Sequence, residues 1–146
     1  MMAAEFTRIL VTGGRHYRDR QHVYEVLDGL YARFGPLLVV HGGARGADTL
    51  ADDWVTSRKA RGLAVDREVH EARWYDPCRQ SCRPGHRKAR GHASSYCPAA
   101  GEYRNHEMGD LGARGFVAFP DPGSVGTHRM INYAKAKGIP DLLAVA

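Results

Sequence analysis

The run Leu37-Leu38-Val39-Val40-His41-Gly42-Gly43-Ala44-Arg45-Gly46-Ala47-Asp48 decides the fold, because it passes from an apolar strand through a glycine-rich turn into a helical pattern. A strand, a tight loop and a helix N-terminus in that order aim backbone N–H groups and the positive end of the helix dipole at one point, where an anion such as phosphate can be held. Glycine suits such a turn because the backbone itself must approach a ligand there and positive φ carries no Cβ penalty. A short glycine loop is also an ordinary βα connection, so the weight of the reading rests on what the remaining chain brings to it.

Working outward, Arg8-Ile9-Leu10-Val11-Thr12 reads as a first buried strand cut off by Gly13-Gly14. Asp19 is placed to cap a helix in which Val23, Val26, Leu27, Leu30, Tyr31 and Phe34 recur at spacings of three and four, ending at Gly35-Pro36. Beyond the opening run, a helix from 46 or 47 to 61 turns Leu50, Trp54 and Val55 inward and stops at Gly62, and a weaker strand occupies 65–70. After residue 98 the pattern resumes: a helix over 99–111, a strand over 115–119, a second glycine-bearing loop, a helix over 126–137 and a closing strand over 142–145. Strands alternating with helices predict one α/β domain over 1–146, a Rossmann-like open parallel sheet of about five strands with helices on both faces. The loops at the carboxyl ends of such strands gather at one edge. That edge would carry Thr12, Gly13, Gly14 and Arg15, then the 42–48 loop, then Pro122, Gly123, Ser124, Val125, Gly126 and Thr127.

The 146 residues, 43% hydrophobic and 25% charged, suit a globular domain with its own core. No apolar run approaches the roughly 20 residues that span a bilayer, and the N-terminus lacks a secretion signal, so the expectation is a cytoplasmic protein that does not engage membranes. The net charge of +5 is local: Arg73, Arg79, Arg83, Arg87, Lys88 and Arg90 against Asp76 account for all of it. All but Arg73, which immediately precedes it, belong to a stretch over about 74–98 in which periodicity vanishes and Cys, Arg, Gly, Pro, His and Ser take over. We read this stretch as an insertion without regular core structure of its own. Its basic residues, with Trp74, Tyr75 and Tyr96 near its ends, would also suit the phosphates and stacked bases of a single strand of nucleic acid.

Within the insertion, Cys78-x-x-x-Cys82-x-x-x-His86 followed by Cys97 offers three sulfurs and one imidazole, the donor set of a closed structural zinc site, with His92 as the alternative fourth ligand. A metal would offset the entropy of ordering a segment that buries little apolar area. At the glycine loops, the dinucleotide fingerprint G-x-G-x-x-G and the Walker sequence are both missing, which disfavours a conventional NAD site and P-loop hydrolysis. What remains is a phosphate cradle of backbone amides at Gly43, Gly46 and residues 124–127, supported by the guanidinium groups of Arg15, Arg45 and Arg104 and the hydroxyls of Thr12, Ser124 and Thr127. Asp48 would cap its helix or meet a sugar hydroxyl.

Four spaced motifs carry a family resemblance: Val11-Thr12-Gly13-Gly14-Arg15, Gly42-Gly43-Ala44-Arg45-Gly46-Ala47-Asp48, Arg104-Asn105 with Met108, and Pro122-Gly123-Ser124-Val125-Gly126-Thr127. The chain resembles the SLOG superfamily, which joins the DNA-processing protein A (SMF) proteins with the Lonely Guy phosphoribohydrolases, and is most similar to its small YspA-like (cpYpsA-related) branch of bacteria and phages. The resemblance implies a Rossmann-like fold that binds a nucleotide or an ADP-ribose-like ligand at Thr12 to Arg15, at Gly42, Gly43, Ala44, Arg45, Gly46 and Asp48, at Arg104 and Asn105, and at the 122–127 loop. It further implies a homo-oligomer, commonly a dimer. Lonely Guy enzymes carry P-G-G-x-G-T-x-x-E, whose glutamate serves cleavage of the base from the ribose phosphate. Here Met130 stands at that position, and a thioether supplies no acid or base. That favours a sensor or sequestering module over the alternatives, a nucleotide N-glycosidase or a single-stranded DNA-binding module.

Overall fold

The runs expected as strands at 8–12, 37–41, 65–70 and 115–119 become the strands of one parallel sheet. The computed structural model describes residues 5–90 and 93–143. In chain order its elements are β1 (Thr7–Gly13), α1 (Arg20–Phe34), β2 (Leu37–His41), α2 (Ala47–Ala60), β3 (Val65–Val69), β4 (Lys88–Arg90), β5 (Ala93–Tyr96), α3 (Ala100–Asp110), β6 (Gly115–Phe119) and α4 (Val125–Ala136). The main sheet is wholly parallel in the order β3-β2-β1-β6, with Ile9 beside Val39 on one side and beside Gly115 on the other.

Alternation along each strand divides the core in two, as expected of a sheet covered on both faces. Ile9, Val11, Leu37, Val39, Val117 and Phe119 pack with Val23, Leu27 and Leu30 of α1 and with Ala51, Trp54 and Val55 of α2. Leu10, Val40 and Phe116 face the other way, onto Met108 of α3 and Met130 and Ala134 of α4. Helix α1 starts where Asp19 accepts the His22 N–H at 3.1 Å and stops at Gly35, whose N–H returns to the Tyr31 carbonyl. The fully buried Trp54 donates its indole N–H to Asp28 at 2.8 Å, and Arg58 clamps the same carboxylate through two nitrogens, so α1 and α2 are tied by one acid.

Two expectations are refined. The main sheet has four strands; a fifth is represented by a single parallel bridge from Asp141 to Phe116, and residues 144–145 of the expected closing strand lie outside the described residues. The insertion is not free of regular structure, since β4 and β5 form a small antiparallel pair. Its sequence hides this because the pair has no alternating apolar face. Arg87 braces the region instead, donating to the Ser95 hydroxyl and carbonyl at 2.9 and 2.6 Å and to the Asp76 carbonyl at 2.7 Å. No helix among the described residues is long and apolar enough to cross a membrane.

Candidate functional site

The strand order fixes where a ligand can sit. The chain runs outward from β1 through β2 to β3, then returns to place β6 on the far side of β1. Between β1 and β6 the loops leave in opposite directions, and in an open parallel sheet the crevice at the carboxyl ends of such a pair is the usual binding place. A cleft of about 400 Å³ lies there, lined by Thr12, Gly13, Gly14 and Arg15 after β1, by residues 121–127 after β6, by Ala44 and Asp48 from the β2–α2 connection, and by Arg104 and Asn105 of α3. A neighbouring compartment of about 560 Å³ is lined by Gly42, Gly43, Ala44 and Arg45 together with Glu71, Trp74 and Tyr96. Arg15, Ala44, Trp74 and Arg104 belong to both.

The three loops differ in what their amides do. In the β2–α2 loop, one oxygen of the buried Asp48 carboxylate accepts the N–H groups of Gly42 and Ala44 at 3.0 and 3.2 Å, and His41 Nδ1 accepts that of Gly43 at 3.0 Å. The imidazole therefore carries its proton on Nε2, which faces Asp52 at 2.9 Å. These amides, Gly43 among those expected to meet phosphate, are satisfied within the protein. Gly46 lines neither compartment. With φ at +81° and the Arg15 backbone 2.6 Å from where a Cβ would stand, it serves the close seating of this loop on the β1 loop. At α4 the situation is reversed. Ser124 makes no cap bond to the helix and turns its hydroxyl onto the Asp121 carbonyl at 2.8 Å, leaving the first-turn residues Val125, Gly126 and Thr127 along the cleft.

Charge in the cleft is set by Arg104. Its guanidinium donates to the Gly42 carbonyl at 2.6 Å and to Asn105 at 2.8 Å, and Gly42 has no room for a side chain because a Cβ would meet the Arg104 guanidinium carbon at 2.7 Å. Burial pushes the Arg104 pKa down, the Asp48 carboxylate opposes this, and the nearby Arg15 pushes it down further. Asp48 in turn is pushed up by burial, against the pull of His41, the Ala44 amide and Arg104. The arrangement is two cations and the first turn of α4 lining one cleft, one cation partly balanced by a carboxylate already engaged by two amides.

Of the residues expected at the site, Arg45, Gly42 and Gly43 face the second compartment only. Met130 is 2% exposed, packs with Leu10, Val40, Met108 and Phe116, and takes no part in lining the cleft. Glu102 and Gly101 of α3 line the cleft without having been expected there. The only signal for them was proximity to Arg104 on the same helix. Trp74, legible in the sequence only as an aromatic at the edge of the insertion, stands where the two compartments meet, with the Arg15 guanidinium 5.8 Å from its ring centre and Tyr96 edge-on at 6.2 Å.

The insertion brings Cys78, Cys82, His86 and Cys97 together, with their ligand atoms all within 4.8 Å of one another. Cys82 and Cys97 sulfurs are 3.8 Å apart, and His86 Nε2 is 3.0 Å from the Cys78 sulfur and 3.3 Å from that of Cys97. Thiolates bound tetrahedrally at about 2.3 Å from zinc stand roughly 3.8 Å from one another, so this set can hold a metal such as zinc. Tyr103 Oη lies 3.0 Å from the Cys82 sulfur, and Arg87 approaches that of Cys78 at 3.5 Å. His92 lies outside the described residues.

Comparison with known proteins agrees with this architecture. The model of the YspA, cpYpsA-related SLOG family matches residues 7–75, which span β1 to the end of the strand and loop after α2. The Gene 61 protein of Mycobacterium phage D29 is 39% identical over 134 residues, covering 91% of this chain and 92% of the phage protein. No solved structure matches the chain. With the β1 and β2 glycine loops inside the matched stretch and the phage relative aligned across nearly the whole length, the chain belongs to the YspA, cpYpsA-related SLOG family.

Proposed function

We propose that this protein binds a phosphorylated, nucleotide-type ligand, a mononucleotide or an ADP-ribose-like molecule, with its phosphate at the N-terminus of α4 and between Arg15 and Arg104. The observation that carries the reading is that Arg15, Arg104 and the first turn of α4, which has no side-chain cap, line one cleft at the β1–β6 switch point. Membership of a SLOG family supports a nucleotide-related role in general terms. The β2–α2 loop then acts as scaffold, its amides spent on Asp48 and His41, and the phosphate cradle is the 123–127 segment.

Binding without turnover is the favoured mode. Met130 lies in the core, and of the three acids that line the cleft Asp48 holds two amides, Asp121 accepts the His16 N–H at 2.9 Å, and Glu102 on α3 faces His106 at 3.8 Å, so that Glu102 is the acid to substitute if turnover is found. Cys78, Cys82, His86 and Cys97 would hold zinc as a closed structural site, which supplies cross-linking of the insertion and leaves no open position for substrate.

Calorimetric titration with ribose 5-phosphate and a panel of nucleoside 5′-monophosphates tests the reading. Hydrogen bonds to charged groups contribute about 1.5–3 kcal/mol, so Arg104→Met should weaken affinity about tenfold to a hundredfold. It should also lower the thermal midpoint, because Arg104 bonds the Gly42 carbonyl and Asn105, whereas Arg15→Met at an exposed residue should weaken affinity with the midpoint close to that of the parent. Absence of binding across the panel, or affinity that ignores Arg104, would remove the phosphate site. Release of free base on prolonged incubation would replace the binding module by the N-glycosidase.

A further inference from the structure

The second compartment is built differently from the first, and the difference says what it would hold. The amides of Gly42, Gly43 and Ala44 that border it are already bonded to Asp48 and His41, so it offers no backbone cradle for a second anion. Beside three arginines, Arg15, Arg45 and Arg104, its lining carries one carboxylate, Glu71. One wall is aromatic: Trp74 from the start of the insertion and Tyr96 from β5, edge to face at 77°. The Trp74 main chain is held by its carbonyl, which accepts the Cys97 N–H at 2.7 Å, and its ring edge packs on α3, 3.0 Å from where a Cβ on Gly101 would stand. Stacking on such a surface accepts planar rings, and a carboxylate beside it accepts the exocyclic amine or ring N–H that such rings carry.

We infer that Trp74 and Tyr96 form the recognition site for the planar, nitrogen-bearing ring of the same ligand whose phosphate lies in the first compartment. The inference rests on the phosphate site proposed above. The shared residues Arg15 and Arg104 mark the line that the sugar crosses, and Arg15, an exposed cation above the indole, can follow the phosphate on one side of the ring. Trp74 lies within the residues 7–75 matched by the family model and Tyr96 beyond them, so the ring site joins the sheet body to the insertion. The Cys/His cluster then acts as a positioning device, because Cys97 holds the Trp74 backbone and Cys82 meets Tyr103, the neighbour of Arg104 on α3.

The test compares nucleoside 5′-monophosphates with ribose 5-phosphate by calorimetry. The intact protein should bind at least one nucleotide tenfold or more tighter than the sugar phosphate, as expected for one base stacked on an aromatic side chain. Trp74→Ala should abolish that advantage, Trp74→Phe should restore part of it, and Tyr96→Ala, at a residue that lines the second compartment only, should reduce it while leaving ribose 5-phosphate affinity within about twofold. Should Trp74→Ala fail to fold, the parent protein gives the same information. Trp54 is buried in the core, so quenching of tryptophan fluorescence by a nucleotide, with none from ribose 5-phosphate, reports on Trp74. Equal affinity for nucleotide and sugar phosphate, or an advantage that survives Trp74→Ala, would overturn the ring site while leaving the phosphate site standing. Failure of ribose 5-phosphate and every nucleotide to bind would overturn the phosphate site on which it rests.

Discussion

The sheet body and the Cys/His insertion are held together by different physics. In the body, apolar side chains from four helices close on both faces of the sheet, and Trp54, Phe116, Phe119, Ile9, Leu10 and Leu27 are almost wholly removed from water. Between residues 76 and 96 of the insertion, no described side chain is buried. Order there depends on a handful of directed contacts: the four-residue donor cluster, the Arg87 brace and the Arg79 guanidinium 4.1 Å from the Tyr103 ring centre. Burial is non-directional and roughly proportional to area, so it tolerates many sequences with the right period. A donor cluster depends on a few particular atoms, and losing one removes most of the effect.

That contrast can be broken or sharpened by experiment. The largest effect should come from the body: Trp54→Ala empties a fully buried site and also leaves the Asp28 carboxylate without one donor, so it should cost about 3–5 kcal/mol in denaturant unfolding. A change below about 1 kcal/mol would mean that the α1–α2 layer is not the stabilising core. The intermediate effect belongs to the insertion. Elemental analysis should find about one zinc per chain, and a strong chelator or Cys82→Ser should open the segment to proteolysis between residues 76 and 96 while the helical circular-dichroism signal persists. If the entire chain unfolds with the metal, the two regions form one cooperative unit and the contrast fails.

The smallest effect is electrostatic and tests the edge of the body. Arg8 on β1 reaches across to Glu68 on β3, donating from two nitrogens at 2.8 Å each, and His70 Nε2 is 2.8 Å from the same carboxylate. The Arg8 hydrogen bonds, more than the added bond from His70, hold the Glu68 pKa at about 2, below its ordinary 4.5, although partial burial opposes them. Because the folded value is depressed, this stabilisation is fully present above about pH 4.5 and is lost as pH falls toward 2. Burial would lower the His70 pKa, but its bonds to Glu68 and Glu107 outweigh that and raise it. Its contribution is therefore complete below the ordinary value of 6.5 and fades as pH rises above it. Both groups are partly solvated, so Glu68→Gln should cost at most about 1 kcal/mol near pH 6, with the difference from the parent closing at pH 2. A difference that stays constant with pH would mean packing, not charge, accounts for it.

How much could be read in advance follows from the same contrast. Period and punctuation located β1, β2, β6 and all four helices to within a residue or two, because a half-buried element must repeat its apolar residues every 2 or 3.6 positions. The β4–β5 pair was not legible, since it is set by Arg87 and by its neighbours and not by an apolar face. The Cys78, Cys82, His86 and Cys97 grouping was legible because thiols and imidazole are rare enough to be noticed by type alone. The assignment of amides within the glycine loops was not. Whether Asp48 turns back to Gly42 and Ala44 or forward to a ligand depends on a side-chain torsion and on the space around it, and nothing in the spacing encodes that choice.

What the amino-acid sequence determined by itself is therefore the layered α/β body, the placing of three glycine loops on one sheet edge and the identity of the donor cluster, all of which follow from local period and residue chemistry. Only the tertiary structure decided that Arg15 and Arg104 line one cleft with the start of α4, that the β2–α2 amides are already satisfied, and that Trp74 and Tyr96, 22 positions apart, meet as one wall. These are long-range relations. They depend on the strand order β3-β2-β1-β6 and on how closely glycine lets neighbouring loops approach, and both are set by packing the whole chain.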